Sequence, residues 1–198
     1  MDTNKYLYSS LQIQPSELAD IAEITALYHA CAAYQAEKKH EVWQIASPQT
    51  ITNEINQLRH YKAVVTTSKT AKNCNNNKES SCYCKIAGVF TIAYTDPIIW
   101  GTRNADAALY FHRIGTHPLF MGKINLMDAL IQWGKSHALN NNLQYLRLDT
   151  WANNNKPLCQ YYQRTGFTNV GQTFINQPPE LPPHYWNIPL MLFEKAVK

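Results

Sequence analysis

Three stretches hold residues whose types and spacing suit chemistry. The first, "HRIGTHPLFMGKINLMDALIQWGK" from His112 to Lys135, ends a strand, turns through a short loop and opens a long helix. A helix N-terminus presents unpaired N–H groups and a partial positive charge, which suits a phosphate. Close approach of backbone to ligand favours Gly and Asn, and Gly122 and Asn125 meet that need in part while Lys123 adds charge. Many such units bind nothing, so this stretch alone leaves phosphate binding open. The second, "YLRLDTWANNNKPLCQYYQRTGF" from Tyr145 to Phe167, begins as a strand that Asp149 and the Asn cluster break. It ends as a helix, with Pro157 in the first turn, Leu158, Tyr161 and Tyr162 clustered, and Gly166 as the stop. The third, "CNNNKESSCYC", groups Cys74, Cys82 and Cys84. A zinc site would want a CxxC-like pair and a fourth ligand, and neither is evident, so no metal is expected.

Composition narrows the classes. A chain of 198 residues with 45% hydrophobic and 16% charged residues reads as one folded domain, residues 1–198, with a sizeable core. A net charge of +4 without a dense Lys/Arg block gives no nucleic-acid footprint, though it suits an anionic small ligand. No apolar run reaches the ~20 residues that span a bilayer, and "MDTNKYLYSS" lacks a signal-peptide core. No membrane partner and a cytoplasmic location are therefore expected. Five cysteines, an odd number, give no disulfide framework.

The elements that must position these residues follow from periodicity. Ser16 can cap a first helix that carries Leu18, Ile21, Ile24, Leu27, Tyr28 and Cys31 along one face. Ser47 and Pro48 start a second, burying Ile51, Ile55 and Leu58. Two strand-like runs, "YKAVVTT" and "CKIAGVFTIAY", flank the polar segment 68–81, read as a mobile hairpin loop. The turn-rich "TDPIIWGTRNAD" precedes the strand "AALYFHRIGTH" and a helix over "MGKINLMDALIQWGKSHA". Strand, helix and strand from 108 to 149 imply a parallel pair joined by a right-handed crossover. A final strand lies near "PLMLFEK". The fold class is α/β, a mixed and mostly antiparallel sheet with helices on both faces.

The order "HRIGTHP…G…LIQWGK…YLRLDTWANNN…LCQYYQRTGF", over residues 86 to 194, resembles the GCN5-related N-acetyltransferases (GNAT), in a bacterial branch of that family. The resemblance implies a fourth and a fifth strand, parallel but splayed, with acetyl-CoA in the gap. Exposed backbone there would bind the pantetheine amides as a missing strand does. It places Ile114 and Thr116 on the pantetheine arm and the loop Met121, Gly122, Lys123, Ile124, Asn125, Leu126 and Met127 on the pyrophosphate. Asn155 matches the family's asparagine at the start of the next helix, and Tyr162 the tyrosine four residues before Gly-Phe. The loop departs from the family pattern of Arg or Gln, two residues, Gly, one residue, then Gly or Ala, because "MGKINLM" offers a single glycine.

By the same resemblance Tyr162 would protonate the departing thiolate, since a phenol of pKa near ~10 keeps its proton at neutral pH. Tyr161 should point elsewhere, adjacent helical residues lying about 100° apart. His112 stands where arylalkylamine-type members carry a histidine and could take the amine's proton, directly or through water. A packing tyrosine and a satisfied strand histidine are the alternatives, and Asp149 is a second candidate base. Trp43, Trp100, Trp151, His184 and Tyr185 could line the acceptor mouth, although each tryptophan also reads as core. The expected activity is direct acetyl transfer from acetyl-CoA to a primary amine, most simply a small molecule. A silent acyl-CoA-binding sensor of the same fold is the alternative, and monomer and homodimer both remain open.

Overall fold

Alternation of apolar and polar residues builds the sheet on which everything else rests. In the computed structural model, residues 7–40, 42–68, 82–152, 156–177, 179–180 and 186–198 are described. Strand β1 (Leu7–Pro15) alternates Leu11 and Ile13 with Gln12 and Gln14. It is followed by β2 (His60–Ser68), β3 (Cys82–Ala93), β4 (Ala108–Thr116), β5 (Tyr145–Trp151), β6 (Thr168–Phe174) and β7 (Pro189–Ala196). They form a seven-stranded sheet in the order β1-β2-β3-β4-β5-β7-β6, in which only β4 and β5 pair in parallel. The expected mixed sheet is present. Its first strand, and the mostly polar edge strand β6, are additions to the sequence reading. The expected hairpin loop falls, from 69 to 81, outside the described residues.

Among the described residues, five α-helices cover the two faces: α1 (Ile21–Glu37), α2 (Pro48–Asn56), α3 (Pro97–Trp100), α4 (Leu126–Asn140) and α5 (Lys156–Arg164). Ile24, Leu27, Tyr28 and Cys31 of α1 meet Ile51 and Ile55 of α2 over Ile86 and Val89. On the opposite face, Leu130 and Ile131 of α4 and Tyr162 of α5 pack on Phe90, Leu109, Phe111, Leu146 and Phe193. A β-carbon at Gly134 would lie 2.6 Å from the Phe111 ring, so α4 sits as close to the sheet as glycine allows. No helix among the described residues is long and apolar enough to cross a membrane.

Local expectations fail where tertiary contacts win. Ser16 does not cap α1; its hydroxyl meets His60 Nδ1 at 2.8 Å, and Leu18 is exposed. Ser47 does cap α2, accepting from Thr50 N at 3.1 Å, but Leu58 lies past the helix with φ +56° and is exposed. Helix α4 begins at Leu126 rather than near Met121, because the Asn125 side chain accepts from Asp128 N and caps it there. The turn-rich segment holds α3, capped by Asp96, which accepts from Ile99 N.

Arg147 on β5 is a fully buried cation. Its guanidinium donates to Glu194 and Asp106 (2.6 Å each), to the Arg103 carbonyl and to the Tyr110 hydroxyl, and lies 4.7 Å from the Trp100 ring centre. Removing the guanidinium strands the mostly buried Glu194 carboxylate without its partner, whereas Asp106 still meets water. Arg147→Met should lower unfolding stability by about 3 kcal/mol or more, read from the urea midpoint. Adding Glu194→Leu should recover part of that loss, because the stranded carboxylate goes with it.

Candidate active site

Pairing between β4 and β5 covers only Ala108 to Phe111 against Tyr145 to Leu148. Past those residues β4 continues to Thr116 and β5 to Trp151, each still paired on its outer side, to β3 and β7. The β4 edge is turned by a bulge, where Arg113 and Ile114 together oppose Phe90, and Arg113 takes φ +49°. A bulged residue sharpens local twist, and bulges concentrate beside functional sites. Arg113 is anchored by a short ion pair with Glu54 of α2. A cleft of about 660 Å³ occupies the gap.

The cleft joins the two faces of the sheet. On the α1–α3 side it is lined by Tyr28, Trp43, Glu54, Asp96 and His112, and on the α5 side by Leu158 and Tyr162, with Asp149 on the strand between. Leu158 and Tyr162 are one helical turn apart, so both turn inward. Tyr162 is buried against Phe167 and Phe193, whereas Tyr161 is 42% exposed and points away, as expected. Burial, reinforced by Asp149, raises the Tyr162 phenol above its ordinary range, so it holds its proton at any working pH.

Three titratable groups meet in the gap. His112 Nε2 lies 3.7 Å from Asp96 Oδ2, and its Nδ1 lies 3.9 Å from Asp149 Oδ1. Burial pushes His112 down to about 4, with Arg59 acting in the same direction. Burial raises Asp96 to about 6, and burial together with Asp96 raises Asp149 to about 7. Groups this close titrate as a set, since a proton on one weakens the hold of the others. Burial thus biases the set toward a neutral imidazole and toward protonated carboxyls.

The expected site residues divide. Tyr162, His112, Ile114, Trp43 and Trp151 line the cleft. Trp100 does not, and that expectation is corrected: the ring is buried in the α3 cluster, where it packs on Arg147 and Tyr110. Thr116 ends β4, and its carbonyl accepts from the Cys31 thiol at 3.3 Å. Met121, Gly122 and Lys123 are exposed in the turn before α4, with Gly122 at φ +70°, and Ile124 is half-buried. The side chains of Leu126 and Met127 are buried, which leaves only their backbone N–H groups to face a ligand. Asn125 and Asp128 bond to each other across the first turn of α4, so a carboxylate already stands at this helix N-terminus. Asn155, His184 and Tyr185 lie outside the described residues. The sequence reading missed Asp96, Glu54 and Arg59. Only Asp96 carried a signal, since Asp-Pro followed by an apolar pair is a helix start, but nothing local says that the cap faces a cleft.

Asp149 also sets a pH dependence of stability. Its carboxyl binds a proton more tightly folded than unfolded, so its contribution is fully present below about pH 4 and is lost as pH rises through about 7. Asp149→Asn should therefore unfold at a higher temperature than the parent at pH 8 and show no such gain at pH 4. Melting curves at the two pH values test this.

No protein-family model and no curated protein matches the sequence. Solved structures do. A GNAT acetyltransferase from Listeria monocytogenes aligns over 97% of this chain and 99% of its own, with TM-score 0.65 and 18% identity. An N-acetyltransferase from Staphylococcus aureus aligns over 96% and 100%, with TM-score 0.58 and 14% identity. The NatC complex, solved with a Gag peptide and CoA, contains a chain that aligns over 96% and 99%, with TM-score 0.56 and 14% identity. With its splayed parallel pair and helices on both faces, the chain has the fold of the GNAT acetyltransferases.

Proposed function

We propose that the protein is an acetyl-CoA-dependent N-acetyltransferase that acts on a primary amine by direct transfer. The observation that carries this reading is the through-cleft between β4 and β5. It sets a proton acceptor, Asp149 beside His112, and a proton donor, Tyr162, at the two sides of one gap. Acetyl-CoA supplies the activated acetyl group. The unpaired inner edges of β4 and β5 fit its amide-bearing arm. Phosphate contacts fall to the Gly122–Lys123 turn and the first amides of α4, where a phosphate must displace or share with Asp128.

An amine enters water-filled clefts as ammonium and must shed a proton before it can attack. A base is most useful when its pKa lies near the working pH, which favours Asp149 over His112 as first acceptor. His112 then stands beside it as a relay and as an orienting contact. The backbone N–H of Ile114, at the bulge, is the donor best placed for negative charge developing on the carbonyl oxygen. Tyr162 supplies the proton for the leaving sulfur. Trp43 and Trp151 offer aromatic walls to the body of the amine.

Two measurements test the reading. Acetyl-CoA at millimolar concentration should raise the melting temperature, because a ligand selective for the native state stabilises it by mass action. No shift and no heat of binding would remove the cofactor and the proposal with it. Tyr162→Phe should lower turnover by roughly 10- to 1000-fold, the scale for a positioned acid, while leaving acetyl-CoA affinity nearly unchanged. Tyr161→Phe is the control on the exposed face, and equal losses from the two would assign Tyr162 to packing.

A further inference from the structure

Two of the buried polar centres among the described residues are opposite in character. Around Arg147, a guanidinium is matched by two carboxylates, a carbonyl and a hydroxyl. Around His112, two carboxylates meet with no arginine or lysine paired to either among the described residues. Arg59 and Arg113 both reach the cleft, yet Arg113 is already held by Glu54. The Asp149 side chain is only 7% exposed, and Asp96 Oδ2 is sealed from solvent with no hydrogen-bond partner. Buried carboxylates without a counter-charge are costly, and a cation entering the gap would relieve both.

The donors come from three separate elements: Asp96 caps α3, His112 is on β4 and Asp149 is on β5. One ligand atom from each lies within 4.8 Å of the other two. Three donors that share a transition-metal ion, each about 2.1 Å from it in tetrahedral geometry, lie about 3.4 Å apart. Asp96 faces Nε2 and Asp149 faces Nδ1, so closing the set onto one ion needs side-chain shifts of about an ångström and a turn of the imidazole that brings one nitrogen toward both carboxylates. One imidazole with two carboxylates suits a first-row divalent ion and not the all-oxygen shell of calcium. The cleft leaves room on the open side for water to complete the coordination.

We propose that Asp96, His112 and Asp149 form a binding site for a divalent first-row transition-metal ion. The site itself does not depend on acyl transfer. On the reading given above, an ion seated there takes the place of the acceptor's ammonium, so the metal acts as an inhibitor at the acceptor end of the cleft.

The test uses the intact, chelator-stripped chain and Co²⁺ as probe, followed by calorimetry and visible absorption. A single ion per chain is expected, with ligand-field bands and without the intense near-ultraviolet band of cobalt thiolate. Asp96→Asn and Asp149→Asn should each weaken binding by roughly 100-fold or more, since even outer-shell changes cost 10–100-fold. The Cys74→Ser/Cys82→Ser/Cys84→Ser variant should bind as the parent does. A second measurement needs no variant: Zn²⁺ should shield His112 from diethylpyrocarbonate, read by peptide mass spectrometry. The proposal is overturned by any of four results: no binding at millimolar Co²⁺, unchanged affinity in both folded Asn variants, loss of the ion with the cysteines, or an unshielded His112. Since every readout is binding, its failure leaves the acetyl-CoA melting shift standing as a separate result.

Discussion

Four residue pairs join β4 to β5, and beyond Phe111 and Leu148 neither strand has the other as a backbone partner. An open run of peptide groups inside a domain demands a compensating cause, because unpaired backbone in an apolar interior is costly. Here the cause has two parts. The bulge at Arg113 and Ile114 bends β4 aside, while β5 stays bound to β7 along its full length, from Tyr145 to Trp151. At the closed end, Arg147 and Tyr110 face each other across the last pairs, and the cation gathers α3, β4, β5 and β7 into one knot. The sheet is thus pinned at one end of the two strands and parted at the other. The cleft is what remains between them.

Each face then contributes what its packing permits. The α1–α3 side brings polar groups from a strand, a helix and a cap, His112 on β4, Glu54 on α2 and Asp96 at the start of α3, so carboxylates and a histidine can converge there. The α5 side is the main apolar core, and Tyr162 is the polar tip of an otherwise hydrophobic wall that includes Phe167 and Phe193. The asymmetry raises the proton affinity of the phenol and of Asp149 together, through burial in both cases. A phenol that keeps its proton at rest and a carboxyl shifted toward neutrality are the outcome of one desolvated gap.

Much of this was legible in the sequence, and the reasons for the misses are physical. Long periodic elements declared themselves: α1, α2, α4, and the parallel pair with its helical crossover. Leu11 and Ile13 alternating with glutamines would have revealed β1, but the flanking polar residues hid a strand that depends on β2 for its backbone bonds. Edge strand β6 has little apolar content, and its pairing with β7 supplies what periodicity cannot. In the site, Tyr162 and His112 were singled out by the resemblance of their motifs, and both line the cleft. Asp96 and Glu54 reach the same cleft from a cap and from a distant helix, a proximity that only the folded chain creates. Trp100 was ambiguous between wall and core, and the buried guanidinium beneath it decided the matter.

The self-bonded first turn of α4 has a meaning for how the protein comes into being. Asn125 and Asp128 satisfy each other and the end of the helix from within the chain, so the element that faces the phosphate side is complete before any ligand arrives. Formation of this helix start then does not wait on a ligand. On the reading proposed above, the same self-sufficiency would make occupancy an exchange, one anion yielding to another at a fixed row of amides. Such a loop responds to abundance and ionic conditions rather than holding its ligand from synthesis onward.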